Sequence, residues 1–126
     1  MDPTRAHKKV PMPKLDRRAC LGPDGAVAHV TRCLKMINGR WKLPILFRLY
    51  ADGIQRSSQF LRDIPEVSQK MLTQHLRELE IDGLIKRTDF GEKIPRVEYC
   101  LTDRGEALMP VLLAARQFSE DHDQAT

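Results

Sequence analysis

Residues 68–84 constrain the fold most, because their apolar and polar side chains follow a helical period. Leu72, Leu76 and Leu79 are spaced four and three residues apart, so a helix aligns them in one stripe that can pack on a core. Ser68 precedes this stripe, and a serine oxygen can cap the first free N–H groups of a helix. Four polar side chains point away from the leucines at 100° per residue: Lys70, Thr73, Gln74 and Arg77.

The chemistry of this polar edge suits a DNA groove. Lys and Arg can bind phosphate oxygens or guanine, whereas Gln and Thr can hydrogen-bond to base edges. The positive end of the helix lies beside Ser68 and Gln69 and also attracts phosphate. Glu78, Glu80 and Asp82 lie at the C-terminal end, so we expect base contacts from the N-terminal turns. The simpler interpretation is a solvated face, since most polar helix faces meet only water.

Further helices are predicted upstream of this segment. Apolar side chains at helical spacing indicate one helix over 26–37 and another over roughly 40–50. Pro44 is tolerated only in a first turn, which sets the start of the second helix. Ser57 or Ser58 is then expected to cap a short helix. The tight turn that follows it makes a helix-turn-helix pair with the amphipathic helix.

The hydrophobic period changes after residue 84. Residues 85–90 mix β-branched and charged side chains, and residues 97–101 alternate apolar with polar or small ones. Glycine and proline punctuate the segment between them. We therefore predict a two-stranded hairpin, a wing, over 86–101. A last helix should open at residues 102–103, with Asp103 and Glu106 at capping-box spacing.

The excess positive charge lies in the first twenty residues. They hold six basic and two acidic side chains, so their net charge of 6 − 2 = +4 equals that of the whole chain. We predict a basic, flexible leader over 1–24, a winged-helix domain over 25–119 and a polar tail over 120–126. The leader is either a solvated segment or an arm that raises non-specific affinity for DNA.

Composition argues against several other classes of function. There is no apolar run long enough to span a bilayer and no signal-peptide core. Three cysteines without Cys-x-x-Cys spacing favour a reducing compartment, so we expect a soluble, cytoplasmic protein. Nucleophile–base arrangements and glycine-rich phosphate loops do not stand out, so we expect neither an enzyme nor a cofactor. His29 and Cys33 have the spacing of two metal ligands, but no third ligand joins them and we expect no metal.

Four segments of the chain agree with one family pattern: Ile37-Asn38-Gly39-Arg40-Trp41-Lys42, Ile45-Leu46-x-x-Leu49, Ser68 to Leu84, and Pro95 to Thr102 with Gly105. Through them, about residues 28–118 resemble the HxlR family of bacterial winged-helix regulators. The resemblance implies an α+β, mostly α fold: a winged helix-turn-helix with a two-stranded wing hairpin and flanking dimerisation helices. It also implies a homodimeric, sequence-specific transcriptional regulator whose interface is built from the helix over 26–37 and the C-terminal helix.

Two-fold symmetry would set the recognition helices, residues 68–82, in successive major grooves roughly 34–36 Å apart over an inverted-repeat operator. The wing would lie on the flanking backbone or minor groove. The candidate contacts to double-stranded DNA are Arg56, Ser68, Gln69, Lys70, Thr73, Gln74, Arg77, Lys93 and Arg96. Arg96 could instead be structural and pair with Glu98. A rival function is a winged-helix module that binds another protein rather than DNA.

One departure from the family concerns a thiol. Many members have a Cys-Pro pair thirteen residues before the tryptophan, and many use that cysteine to sense electrophiles or oxidants. Ala28 and His29 occupy the corresponding positions here, so the resemblance carries no such role to this chain. Cys33 could substitute as an electrophile sensor, although free cysteines at helix packing faces are commonly buried and inert. A small-molecule effector stays open, because Met side chains could line a cavity or simply fill the core.

Overall fold

The computed structural model describes residues 17–91, 93 and 95–123. In chain order they form a short 3-10 helix Arg17–Leu21, helices α1 Ala26–Met36, α2 Lys42–Asp52, α3 Ser57–Asp63 and α4 Gln69–Ile81, strands β1 Ile85–Asp89 and β2 Val97–Leu101, and helix α5 Asp103–His122. This mostly helical chain with one hairpin confirms the predicted fold class. Most of the predicted leader, residues 1–16, and the last three residues of the predicted tail lie outside the described residues.

The chain divides into two compact units, one through Lys35 and one from Met36 onward. In the described part of the first unit, α1 presents an apolar face to solvent. Val27, Val30 and Leu34 are each more than half exposed and follow one another at spacings of three and four residues. Helix α1 therefore has an amphipathic pattern without a buried face of its own.

The core of the second unit lies where α2 and α4 pack on each other and on the hairpin. The leucine stripe of α4 is buried as predicted, and Leu72 and Leu79 are fully inaccessible to solvent. The opposite edge of α4 is therefore left exposed. The rest of the core comes from apolar side chains of the neighbouring elements: Ile45, Leu46, Leu49, Phe60, Leu84, Ile85, Leu108, Met109 and Leu112.

The two strands pair antiparallel, with Ile85 opposite Leu101 and Asp89 opposite Val97. A backbone bridge joins β2 to the segment before α3: the N–H of Gln55 donates to the carbonyl of Tyr99 at 3.0 Å, and the reverse bond measures 2.8 Å. This bridge ties the start of the helix-turn-helix to the wing. Because α4 also packs on β1, α4 and the hairpin belong to one packed unit.

Two predicted helix caps were wrong. Helix α3 begins at Ser57, and the residue before it, Arg56, has extended backbone. The side-chain oxygen of Gln59 reaches back to accept from the Arg56 N–H at 2.7 Å, so neither serine is needed as a cap. Helix α5 is capped by Thr102, whose hydroxyl accepts from the Gly105 N–H at 3.0 Å. Asp103 therefore lies inside the helix and forms no capping box.

Thr102 also anchors α5 to the end of α4. Its hydroxyl donates to the Gly83 carbonyl at 2.6 Å, and its N–H donates to the Leu84 carbonyl at 3.1 Å. A Cβ at Gly105 would collide with that same Leu84 carbonyl oxygen. The two backbones can approach this closely only because glycine has no Cβ, which explains why position 105 is a glycine. This close approach also fixes where α5 begins relative to the hairpin.

We expect Leu79→Ala to lower the free energy of unfolding by about 2–5 kcal/mol, because the side chain is fully buried and its removal leaves a cavity. Ile81→Ala on the same helix is the matched control. That side chain is 75% exposed, so its loss should change stability by less than about 0.5 kcal/mol. Urea denaturation followed by circular dichroism measures both. Equal effects for the two variants would contradict the packing described for α4.

Candidate nucleic-acid interface

The polar edge predicted for α4 is exposed along its length. Lys70, Thr73, Gln74 and Arg77 all face solvent. Ser68 caps the helix as predicted, since its hydroxyl accepts from the Met71 N–H at 3.1 Å. The cap satisfies only one of the free N–H groups of the first turn, so the positive helix end stays exposed for an anion.

Hydrogen bonds order the uncharged members of this edge. Gln69 donates from Nε2 to the Thr73 hydroxyl at 3.1 Å, and Gln74 donates from Nε2 to Glu78 Oε2 at 3.2 Å. Lys70 and Arg77 form no ion pair with any residue in the described part of the chain. Their charges therefore remain available to a phosphate or a base.

The wing side chains differ in their surroundings. Arg96 donates from Nε and Nη2 to Glu98 Oε2 at 3.0 and 2.8 Å, and its guanidinium lies 5.0 Å from the ring centre of Phe90. The structural alternative for Arg96, an ion pair with Glu98, is thus what is observed. Lys93 is exposed near the tip, and Arg56 is exposed before α3. DNA contact by these three residues stays a prediction.

A cleft between α4 and the hairpin contains an arginine that the sequence reasoning missed. It has a volume of about 350 Å³ and is lined by Thr73, Arg77, Glu80, Arg87 and Tyr99. Arg87 is exposed and lies opposite Tyr99 in the strand register. Side chains alternate between the two faces of a strand, and this alternation in β1 could have identified Arg87. Because Ile85 is buried, Arg87, two positions later, shares its face and turns toward α4.

A second missed feature is an ion pair at the inner edge of α4. The Lys42 ammonium is almost fully buried and lies 2.9 Å from Glu78 Oε1. His75, also buried, places Nδ1 3.4 Å from the same oxygen. The bond from Lys42, with a smaller contribution from Gln74, lowers the pKa of Glu78 from its ordinary value of 4.5 to about 2, so the carboxylate is ionised at neutral pH. Glu78 therefore links the core to the exposed edge.

The glycine of the segment before α2 lies against this ion pair. A Cβ at Gly39 would lie 3.1 Å from His75 Cε1 and 3.2 Å from Lys42 Cδ. A larger residue would press on both partners of Glu78. The neighbouring Trp41 is only partly buried, and the Arg40 guanidinium lies 4.5 Å from the centre of its ring.

Three other features say less about function. Within the described residues, no group of three or more His, Cys, Asp or Glu side chains is placed to hold a metal ion. None of the described helices is long and apolar enough to cross a membrane. Cys33 is a free, partly exposed thiol on α1.

The pH dependence of the free energy of unfolding should reveal how much the Lys42–Glu78 ion pair stabilises the fold. The folded-state pKa of Glu78 is lowered, so its stabilisation is present above about pH 4.5 and is lost as the pH falls toward about 2. We expect Glu78→Gln to cost about 2 kcal/mol at pH 7, less than the roughly 3–5 kcal/mol of a fully buried pair because the Glu78 side chain is 39% exposed. Urea denaturation at pH 7, 4 and 3 measures the difference from the wild type.

The difference between wild type and Glu78→Gln should shrink at pH 3. Glu106→Gln, an exposed site on α5 with the same change of charge, is the control and should cost little at any of these pH values. A Glu78→Gln difference that stays constant down to pH 3 would show that the carboxylate charge does not stabilise the fold.

Comparison with known proteins places this geometry in a family. The family model described as HxlR-like helix-turn-helix matches residues 36–126. An uncharacterised HTH-type transcriptional regulator of Methanothermobacter thermautotrophicus is 45% identical over 92 residues, 73% of this chain and 70% of the relative. The match from residue 36 includes α2 to α5 and both strands.

Two solved structures are similar over most of the described fold. A transcriptional regulator of the MarR family from Enterococcus faecalis superposes with a TM-score of 0.73 at 33% identity and covers 91% of this chain and 96% of its own. The redox regulator HypR in its reduced form gives a TM-score of 0.69 at 36% identity and covers 76% of this chain and 94% of its own. The relatives are regulators and not enzymes, which agrees with the prediction from the sequence.

Proposed function

The chain belongs to the HxlR-like helix-turn-helix family of DNA-binding transcriptional regulators, and from this premise we propose that it binds an inverted-repeat operator as a homodimer. The observation that carries the proposal is the exposed edge of α4, where Lys70 and Arg77 flank two hydrogen-bonding side chains and are not neutralised within the described residues. We place such a regulator in the cytoplasm, together with the DNA that it binds.

We assign base contacts to the N-terminal and central turns of α4. Thr73, Gln74 and Arg77 lie on one side of the helix, and amides and guanidinium groups are the side chains that discriminate bases in the major groove. Phosphate contacts are assigned to Ser68, Gln69 and Lys70 at the helix start, where the free N–H groups add to the attraction.

The wing and the cleft supply backbone contacts in this proposal. Lys93 at the wing tip meets a flanking phosphate or the minor groove, and Arg56 meets the backbone before α3. Arg87 adds a second guanidinium beside Arg77 in the same cleft. Arg96 contributes only if phosphate replaces Glu98 as its partner, so we expect a smaller effect from its removal.

Dimerisation is proposed to use the apolar faces that stay exposed. On α1 these are Val27, Val30 and Leu34, and on α5 Val111 and Phe118 are 53% and 67% exposed. Burying one such side chain contributes about 1.5–3 kcal/mol, so a symmetric interface that repeats each contact twice can hold two copies together.

We expect Arg77→Ala to weaken binding to the selected operator by about 1–3 kcal/mol, because a bidentate contact to guanine contributes discrimination of that size. Fluorescence anisotropy with a duplex obtained by selection from a random library measures the loss. Arg104→Ala removes the same charge from an exposed position on α5 and is the control. Unchanged affinity for Arg77→Ala, or an equal loss for both variants, would remove Arg77 from base recognition.

The dimer is tested by Val30→Glu, which places a charge on the exposed apolar face of α1. We expect light scattering to give a mass of 14.5 kDa for this variant and twice that value for the wild type. His29→Glu, on another side of the same helix, should remain dimeric. A wild-type protein that is monomeric at micromolar concentration would contradict the proposal.

A further inference from the structure

The side-chain amide of Gln74 is held in one orientation by its neighbour on the next helical turn. Its Nε2 lies 3.2 Å from Glu78 Oε2 on the exposed edge of α4. An ionised carboxylate can only accept hydrogen bonds, so the amide must turn its NH₂ group, and not its oxygen, toward Glu78. One N–H of Gln74 is thereby occupied, while its oxygen and its other N–H stay available.

Glu78 is itself fixed from inside the protein. Its Oε1 is 2.9 Å from the buried ammonium of Lys42 and 3.4 Å from Nδ1 of the buried His75. These contacts use one carboxylate oxygen on the core side and leave Oε2 for Gln74. The orientation of an exposed amide is thus set by an ion pair in the core.

Without the contact to Glu78, the Gln74 carboxamide could hydrogen-bond to a base edge in two arrangements. With a free NH₂ group it can donate two hydrogen bonds to the two acceptors of guanine, O6 and N7. With its oxygen and one N–H side by side it matches adenine, which offers a donor at N6 and an acceptor at N7. Cytosine and thymine each offer this edge a single partner. When Glu78 accepts the N–H that points away from the amide oxygen, the remaining N–H lies beside that oxygen and only the second arrangement remains.

We infer that Glu78 is a positioning residue that restricts Gln74 to adenine at one position of each half-site. This inference rests on the proposed function, in which Gln74 contacts a base edge. Glu78 itself need not touch DNA. Lys42 acts indirectly, because its ion pair holds Glu78 in place. Specificity at that base pair then originates in the contact between α2 and α4.

The experiment begins with selection of bound duplexes from a random-sequence library by the full-length wild type and by Gln74→Ala. The position whose base preference disappears in Gln74→Ala is the one that Gln74 contacts. We expect an A·T pair there, favoured over G·C on the order of tenfold. Fluorescence anisotropy with two duplexes that differ only at this position gives the ratio for each variant.

Glu78→Gln is the decisive variant. We expect its A·T over G·C ratio to fall below about threefold, because the amide can then rotate, while ratios at other positions stay as in the wild type. Since this change leaves a buried ammonium without its partner, Lys42→Met/Glu78→Gln is measured as well and should show the same loss. Glu106→Gln carries the same change of charge as Glu78→Gln and should keep the tenfold preference.

Wild-type adenine preference in Glu78→Gln and in the double variant, both shown to be folded by circular dichroism, would overturn the inference. So would a Gln74-dependent position that favours any base other than adenine, or no such position at all. Failure of the proposed function looks different, since the wild type would then enrich no sequence from the library.

Discussion

Burial of the leucine face of α4 determines how the rest of the molecule can act. Leu72, Leu76 and Leu79 are almost inaccessible, and each contributes on the order of 1.5–3 kcal/mol by leaving water. A helix held by such a stripe cannot rotate about its axis without exposing apolar surface. The opposite edge, with Thr73 and Gln74, is therefore directed outward by the core and not by any ligand.

The packing of the hairpin likewise fixes the side chains that line the cleft beside α4. Helix α4 packs on β1, and β2 is bridged to the segment before α3 through Gln55 and Tyr99. Arg87 consequently faces the cleft that Arg77 also lines. The two guanidinium groups come from segments of different secondary structure, yet one packed unit holds them. Phosphate contacts by the hairpin and base contacts by the helix would thus be set by a single scaffold.

Particular elements show how far sequence patterns extend. The bounds of α4 and β2, the Ser68 cap and the exposed edge follow from local periodicity and were predicted. The caps of α3 and α5 were not, because several residues near each helix start could serve. Which one does depends on neighbours: Gln59 reaches Arg56 N–H, and Thr102 is drawn to the Gly83 carbonyl of the preceding turn. The ion pair of Arg96 with Glu98, by contrast, was one of the two alternatives that the sequence offered for this arginine.

The amino-acid sequence by itself determined the order of helices and strands and the polar edge of α4, because these depend on spacing within short segments. The family followed from the resemblance of four short motifs to the pattern of known regulators. Only the tertiary structure decided that Lys42 is buried against Glu78, since nothing local distinguishes that lysine from a solvated one. It also decided that Arg87 shares a cleft with Arg77. Contacts between residues distant in the chain depend on how whole elements pack, and side-chain spacing does not encode them.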